Sequence, residues 1–285
     1  MDLQFCNVGV IGAGQMGAGI AQVAALVGAH TVVTDVSEAR LEVGRGAIHD
    51  SLRRMVKKDR ITKSQLEQAL ERVDWSTELD AHADRELVVE AINEDEQLKV
   101  SVLSDLETVC KPDAVLASNT SSISITRLAS CLQRPDRFIG MHFMNPVPMM
   151  KLVELIRGAA TSDATCKQVE QFASQLGKTT TVSQDFPGFI SNRILMPMIN
   201  EAFFALMEGI GSASDIDKTL TTGMGHPMGP LALADLIGLD TCLSIMEILH
   251  REFGDSKYRP CPLLRRFVAA KWLGRKTKRG VFIYD

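Results

Sequence analysis

Val8-Gly9-Val10-Ile11 runs into Gly12-Ala13-Gly14-Gln15-Met16-Gly17. The small-residue stretch Ala18-Gly19-Ile20-Ala21-Gln22-Val23-Ala24-Ala25-Leu26 follows, and Thr31-Val32-Val33-Thr34-Asp35 closes the segment. Apolar strand, glycine turn, helix and second strand stand in register, which predicts a βαβ unit of the dinucleotide-binding kind. Gly12 permits the tight strand-to-helix turn, Gly14 lets backbone approach a pyrophosphate, and Gly17 lets the helix lie close on the sheet. Gln15 and Met16 head the helix, whose first N–H groups face the phosphates. Asp35, 18 residues past Gly17, stands where an acid accepts hydrogen bonds from the adenosine ribose hydroxyls. A carboxylate there repels a 2′-phosphate, so NAD is expected rather than NADP.

Outward from this unit, 285 residues suit two domains of ordinary size. Hydrophobic residues at 45% and charged residues at 23% give a globular balance. The net charge of −4 argues against binding nucleic acid through overall charge. No apolar run is long enough to span a bilayer. The first strand begins within a few residues of Met1, leaving no room for a signal or transit peptide, so a cytoplasmic location is expected. Six cysteines, none in a CxxC pair or at metal-ligand spacing with a histidine, read as reduced packing residues, and no metal is expected.

Strand and helix patterns then alternate. A basic helix is expected from Ser37 to Lys63, and a capped one over Thr62–Ala69, with Ser64 and Glu67 in capping-box spacing. Leu87-Val88-Val89-Glu90, Ala114-Val115-Leu116-Ala117-Ser118, Arg137–Phe143, Leu152–Ile156 and Thr179–Val182 read as strands. Near Asp185-Phe186-Pro187-Gly188 the alternation stops. Helices are expected over 190–209, from Asp215 with Ser214 as cap, over 231–253 and over 263–273. The fold class is α/β: a Rossmann-type doubly wound, mostly parallel sheet over residues 1–184, followed by an all-α domain over 185–285.

Chemistry-bearing residues gather at strand ends, where open α/β sheets bind ligands. His142 closes one strand and can exchange a proton near neutral pH, as oxidation of an alcohol requires when hydride leaves carbon. Glu154, on the next strand, can bond the far imidazole nitrogen and stabilise the imidazolium. Glu94, Ser121 and Asn192 are further polar candidates, each with an alternative reading as a helix-dipole partner, a turn residue or a cap. The run Ser51-Leu52-Arg53-Arg54-Met55-Val56-Lys57-Lys58-Asp59-Arg60 is open to two readings: a solvated helix face, or a cradle for a polyanionic ligand.

Six segments occur in order: Gly12–Ala21, Val88-Val89-Glu90-Ala91, Ser118-Asn119-Thr120-Ser121-Ser122, His142-Phe143-Met144-Asn145-Pro146-Val147-Pro148, Lys151-Leu152-Val153-Glu154 and Pro187-Gly188-Phe189-Ile190-Ser191-Asn192-Arg193. Together they resemble the L-3-hydroxyacyl-CoA dehydrogenase family, over nearly the whole chain. The resemblance implies NAD-dependent oxidation of a (3S)-3-hydroxyacyl-CoA, such as short-chain 3-hydroxybutyryl-CoA, to the 3-oxoacyl-CoA, and the reverse reaction. It implies that His142 is the catalytic base and Glu154 its carboxylate partner, with Ser121 and Asn192 holding the substrate oxygens. Glu94, Lys99, Asn145 and Lys276 fall at positions near the nicotinamide end of NAD. Ser51 and Lys58 fall at positions that contact coenzyme A, which favours the cradle reading of the basic run. The resemblance also implies a homodimer formed through the C-terminal domain. Two other readings are an NAD-dependent sugar-acid dehydrogenase of the gulonate type and a non-catalytic NAD-binding relative. The Ser51/Lys58 pair weighs against the first, and the intact His142, Glu154, Ser121 and Asn192 set against the second.

Overall fold

A computed structural model of the chain describes residues 3–285. Residues 1 and 2, with which the first expected domain opens, lie outside the described residues. Two compact units divide between Phe186 and Pro187. In the first, eight strands form one sheet: β1 (Asn7–Ile11), β2 (His30–Thr34), β3 (Val73–Ser76), β4 (Leu87–Glu90), β5 (Val115–Ser118), β6 (Phe138–Phe143), β7 (Leu152–Arg157) and β8 (Thr179–Gln184), in spatial order β3-β2-β1-β4-β5-β6-β7-β8. Helices α1 (Gln15–Leu26), α2 (Glu38–Lys57), α3 (Lys63–Glu71), α4 (Glu96–Val109), α5 (Ile125–Ala129) and α6 (Asp163–Gln175) accompany it. The doubly wound sheet expected from the sequence is present.

The inner strands β1, β4 and β5 are short runs, apolar but for an end residue and, Asn7 apart, buried throughout, as parallel strands covered by helices must be. Val8, Val10, Val33, Val89, Val115 and Ile139 share a core with Ile20 and Ala24 of α1 and with Leu41, Ile48 and Leu52 of α2. Every neighbouring pair is parallel except β6 and β7, which run antiparallel. Residues 144–151 between them carry no helix, so the chain has no crossover with which to re-enter the sheet in parallel. The strand order reverses direction between β1 and β4, which places a crevice at the carboxyl ends of these two strands.

Local caps differ from two expectations. The box before α3 is Thr62 with Gln65, not Ser64 with Glu67: the Gln65 N–H donates to Thr62 Oγ1 (3.1 Å) and the Thr62 N–H to Gln65 Oε1 (2.8 Å). In the second unit Ser212, not Ser214, caps its helix, because the Asp215 N–H donates to Ser212 Oγ at 3.1 Å.

The second unit is helical: α7 (Ser191–Met207), α8 (Ala213–Lys218), α9 (Pro230–Ile237), α10 (Leu239–Phe253) and α11 (Pro262–Ala269). Its core joins Met196, Ile199 and Phe203 to Leu231, Leu239, Met246, Leu249 and Leu264. The helix expected over 231–253 is two helices, broken at Gly238, whose φ of 106° lies in the region glycine favours. The buried Asp235 carboxylate fastens the tail, accepting from the Val281 and Phe282 N–H groups (2.9 Å each) and from the Tyr284 hydroxyl (3.0 Å). All six cysteines are free thiols. No helix among the described residues is long and apolar enough to cross a membrane.

Candidate active site

The glycine turn has the shape the sequence predicts. Gly12 has φ 103°, and a Cβ there would stand 2.6 Å from the Ala91 carbonyl oxygen. A Cβ on Gly17 would overlap the Gly12 carbonyl oxygen. Gly14 differs: a Cβ there would meet nothing within 4 Å. That open side is where a pyrophosphate can reach the backbone. Gln15 is exposed and Met16 half-buried at the head of α1. Beside them is a cavity of about 270 Å³, lined by Gly12, Gly14, Asp35, Arg40, Leu79 and Ile92 among others. Asp35 stands at its wall, and its Oδ2 accepts from the Ala13 N–H at 2.8 Å. A bare turn, an open cavity and an acid at the second strand fit a dinucleotide whose adenosine end occupies the cavity.

His142 and Glu154 are directly opposed in the antiparallel β6–β7 register. Opposed residues project from the same face, so twelve residues of chain separation become one side-chain contact. His142 Nδ1 lies 2.9 Å from Glu154 Oε2. An ionised carboxylate only accepts, so Nδ1 is the donor in this pair. Glu154 is almost fully buried and His142 nearly so.

The loop after β5 is held beside this strand. Asn119 Oδ1 accepts from the Phe143 N–H at 2.9 Å, next to His142. Glu94 Oε1 gathers the rest of the loop: it accepts from Thr120 Oγ1 (2.6 Å), the Ser121 N–H (2.9 Å), Ser121 Oγ (3.2 Å), the Ser122 N–H (3.1 Å) and Ser122 Oγ (2.9 Å). Behind it, Lys99 Nζ lies 3.4 Å from Glu94 Oε2 and 2.6 Å from Glu90 Oε1. The Lys99 and Glu90 side chains are 1% and 0% exposed. Glu90 also accepts from Ser118 Oγ at 2.6 Å and from the Ile92 N–H at 2.7 Å. Burial pushes the Glu94 pKa up, but the Lys99 ammonium and the loop donors outweigh it, so the carboxyl lies below its usual range. Glu94, Lys99 and Ser121 therefore form one network at the carboxyl ends of β4 and β5.

Sequence reasoning assigned no role to Glu90, Thr120, Ser122 or Asn119. An acid closing the otherwise apolar strand Leu87-Val88-Val89-Glu90 was the available signal, because a buried charge requires a partner. Of the remaining candidates, Asn145 is exposed directly after β6. Ser51 and Lys58 are seven residues apart, about two helical turns, so they share one side of α2, with Lys58 at its C-terminal cap. Asn192 is buried in the first turn of α7. Lys276 is exposed and its Nζ lies 2.7 Å from Asp240 Oδ2. Among the described residues no cluster of three histidines, cysteines or acids is placed to hold a metal ion.

Residues 7–186 match the model of the 3-hydroxyacyl-CoA dehydrogenase NAD-binding domain, and residues 188–284 that of the C-terminal domain of the same enzymes. The chain belongs to the 3-hydroxyacyl-CoA dehydrogenase family. Its cofactor is NAD, and the sheet unit is the family's NAD-binding domain. Among the relatives of this dehydrogenase is the 3-hydroxybutyryl-CoA dehydrogenase of Bradyrhizobium diazoefficiens, 57% identical over 278 residues, which cover 98% of this chain and 95% of the relative. A probable 3-hydroxybutyryl-CoA dehydrogenase of Bacillus subtilis is 49% identical over 283 residues, 99% of each chain. The crystal structure of (S)-3-hydroxybutyryl-CoA dehydrogenase from Ralstonia eutropha superimposes with a TM-score of 0.96 at 50% identity, covering 99% of both chains.

Proposed function

We propose that this dehydrogenase oxidises (3S)-3-hydroxyacyl-CoA thioesters to 3-oxoacyl-CoA with NAD⁺, and runs the reverse reaction, with 3-hydroxybutyryl-CoA as a preferred short-chain substrate. The observation that carries this is the buried His142–Glu154 pair at 2.9 Å, in a chain that the two family models cover almost end to end. The chain lengths in the names of the relatives at 57% and 49% identity support the short-chain preference. NAD⁺, when bound, supplies the hydride acceptor. His142 Nε2 takes the hydroxyl proton as hydride leaves C3, and gives it back to the developing alkoxide in reverse. Glu154 fixes the tautomer through Nδ1–H and stabilises the imidazolium. A positioned base of this kind is worth roughly 10²–10⁴ in rate. Ser121, held by Glu94, positions the hydroxyl, and Asn192 is assigned the thioester region on the family resemblance. Glu94, Lys99, Asn145 and Lys276 serve the nicotinamide end of the cofactor, and Ser51 and Lys58 the coenzyme A moiety.

Absorbance of NADH at fixed acetoacetyl-CoA tests the reading, with longer 3-oxoacyl-CoAs and a free sugar acid plus NAD⁺ as comparisons. Oxidation of NADH with acetoacetyl-CoA, fastest at four carbons, is expected; turnover of the sugar acid alone overturns it. We also propose a cytoplasmic homodimer formed through the second unit. Ile194, Ile210 and Met224 there are each at least two-thirds exposed, apolar side chains that a second copy of the chain would cover. Light scattering should give twice the chain mass.

A further inference from the structure

The loop 144–151 joins the strand of His142 to the strand of Glu154. Hairpin turns of about two to five residues set strand register through their own geometry. This loop is longer, and it is held by its surroundings instead. On one side Val147 is buried against α1: a Cβ on Gly19 would stand 2.8 Å from the Val147 Cβ and 3.5 Å from the Pro148 Cδ. On the other side Lys178, between α6 and β8, reaches into the loop. Its Nζ donates to the Val147 carbonyl oxygen at 2.6 Å and to the Met150 carbonyl oxygen at 2.8 Å. Hydrogen bonds with an ionised donor are the stronger kind. The backbone at Lys178 is itself fixed: its N–H donates to the Ala173 carbonyl oxygen at 3.0 Å, and the Thr179 N–H to that of Lys151 at 2.7 Å.

This placement of an ammonium is unfavourable by itself. Burial holds Lys178 below the usual lysine range, with no carboxylate among the described residues to offset it. A lysine pointing into water would bear no such cost, so the ammonium is accounted for by the two carbonyls it holds. Directly before the loop, Phe143 is paired with Val153 and His142 with Glu154. A loop released from its anchors lets the pairing loosen from that end, and the second pair reached is His142–Glu154. We propose that Lys178 is a positioning residue for the reaction: it locks the loop 144–151, and through the loop the β6–β7 register that opposes His142 to Glu154. The inference rests on reading those two side chains as the acid–base pair. Lys178 touches neither of them and acts through backbone, with Gly19 of the dinucleotide-binding helix as the opposing stop.

Lys178→Met keeps the aliphatic stem and removes the donors, whereas Lys178→Arg keeps a charged donor. In the reduction of acetoacetyl-CoA, Lys178→Met should lower kcat about tenfold or more, as a small misplacement of reacting groups does. KM should stay within about twofold, and Lys178→Arg should recover most of the loss. The second reading is spectroscopic. With nitrogen-labelled histidine, the His142 Nδ1–H proton resonance, assigned by its loss in His142→Gln, should be sharp in the wild type and in Lys178→Arg. In Lys178→Met it should be broadened or shifted. Gly19→Ala presses on the loop from the opposite side and should lower kcat as well, the double variant falling by less than the product of the two effects. Unchanged kcat with an unchanged Nδ1–H signal in folded Lys178→Met overturns the proposal. So does a loss of kcat that only matches the folded fraction lost by circular dichroism while the signal stays intact. Where Lys178→Met does not fold, Lys178→Gln, which keeps one donor, carries the same readings. A wild type inactive on acetoacetyl-CoA would instead overturn the proposed reaction, and the Nδ1–H signal would still judge Lys178.

Discussion

The two ends of the proposed reaction site are built by different means. The cofactor end is largely contiguous: strand, turn, helix, strand and acid lie within residues 8–35, and that segment supplies one wall of the cavity, which Leu79 and Ile92 complete from elsewhere in the sheet unit. The catalytic pair is assembled by register. His142 and Glu154 meet only because β6 and β7 run antiparallel and pair His142 directly with Glu154. A one-residue slip would turn one of them to the opposite face. A local motif therefore tolerates changes elsewhere, whereas the pair depends on the sheet edge around it.

The strongest expected effect is at the pair. His142→Gln should lower kcat about a thousandfold, within the range for losing a positioned base, while Kd for NADH stays within about threefold. Stopped-flow turnover beside NADH titration checks this, and near-full turnover would remove His142 from the chemistry. Glu154→Gln should cost roughly a hundredfold in kcat, since the ring loses both its orienting acceptor and the counter-charge.

The cofactor end has a long-range dependence of its own. His82 is fully buried, its Nε2 lies 2.8 Å from Thr34 Oγ1 at the end of β2, and its Nδ1 has no hydrogen-bond partner. Burial, aided by the Arg85 guanidinium and opposed by Asp84, pushes its pKa down to about 4. The folded state therefore holds His82 neutral where the unfolded chain, at the ordinary value of 6.5, takes up a proton. Its contribution is complete above about pH 6.5 and is lost progressively as pH falls to about 4, a total of about 3 kcal/mol. Urea unfolding between pH 7.5 and 4.5 should show that loss in the wild type and a flatter profile in His82→Gln. Equal slopes would show that the segment 8–35 stands without this support.

Within the turn, the glycines should separate. Gly17→Ala forces a Cβ onto the Gly12 carbonyl and should destabilise the fold by about 1–3 kcal/mol, or more, because backbone must move. Gly14→Ala meets nothing, so Tm should hold while NADH affinity falls about tenfold. A variant of Gly14 with unchanged affinity would move the pyrophosphate elsewhere. The smallest effect is expected at α2: Ser51→Ala with Lys58→Ala should raise KM for acetoacetyl-CoA about threefold, the scale of exposed ionic contacts. An unchanged KM would return this basic run to a solvated helix face.

Much of this was legible in the amino-acid order. The dinucleotide turn and the change of pattern near residue 185 each follow from spacing and residue type; His142 stood out as a candidate at a strand end, and its role as base was implied by the family resemblance. Less was legible where packing chose among near-equivalent options. Thr62 and Gln65 form the cap that Ser64 and Glu67 also had the spacing to form, and Gly238 breaks what reads as one helix. The Glu90–Lys99–Glu94 chain was hidden for a different reason. Its members lie on a strand, in a loop and on a helix, and only their common burial makes the charges mutually obligatory.

The sequence by itself determined the cofactor class, the two-part organisation and the residue types available for proton transfer, because those depend on local geometry and on intrinsic chemistry. Tertiary structure alone decided that Glu154 faces the ring of His142, that Glu94 gathers Thr120, Ser121 and Ser122 on one oxygen, and that Arg40 stands beside Asp35 at the cavity wall. Hydrogen bonds and ion pairs act over about 3–4 Å, and chain order fixes separations on that scale only for near neighbours.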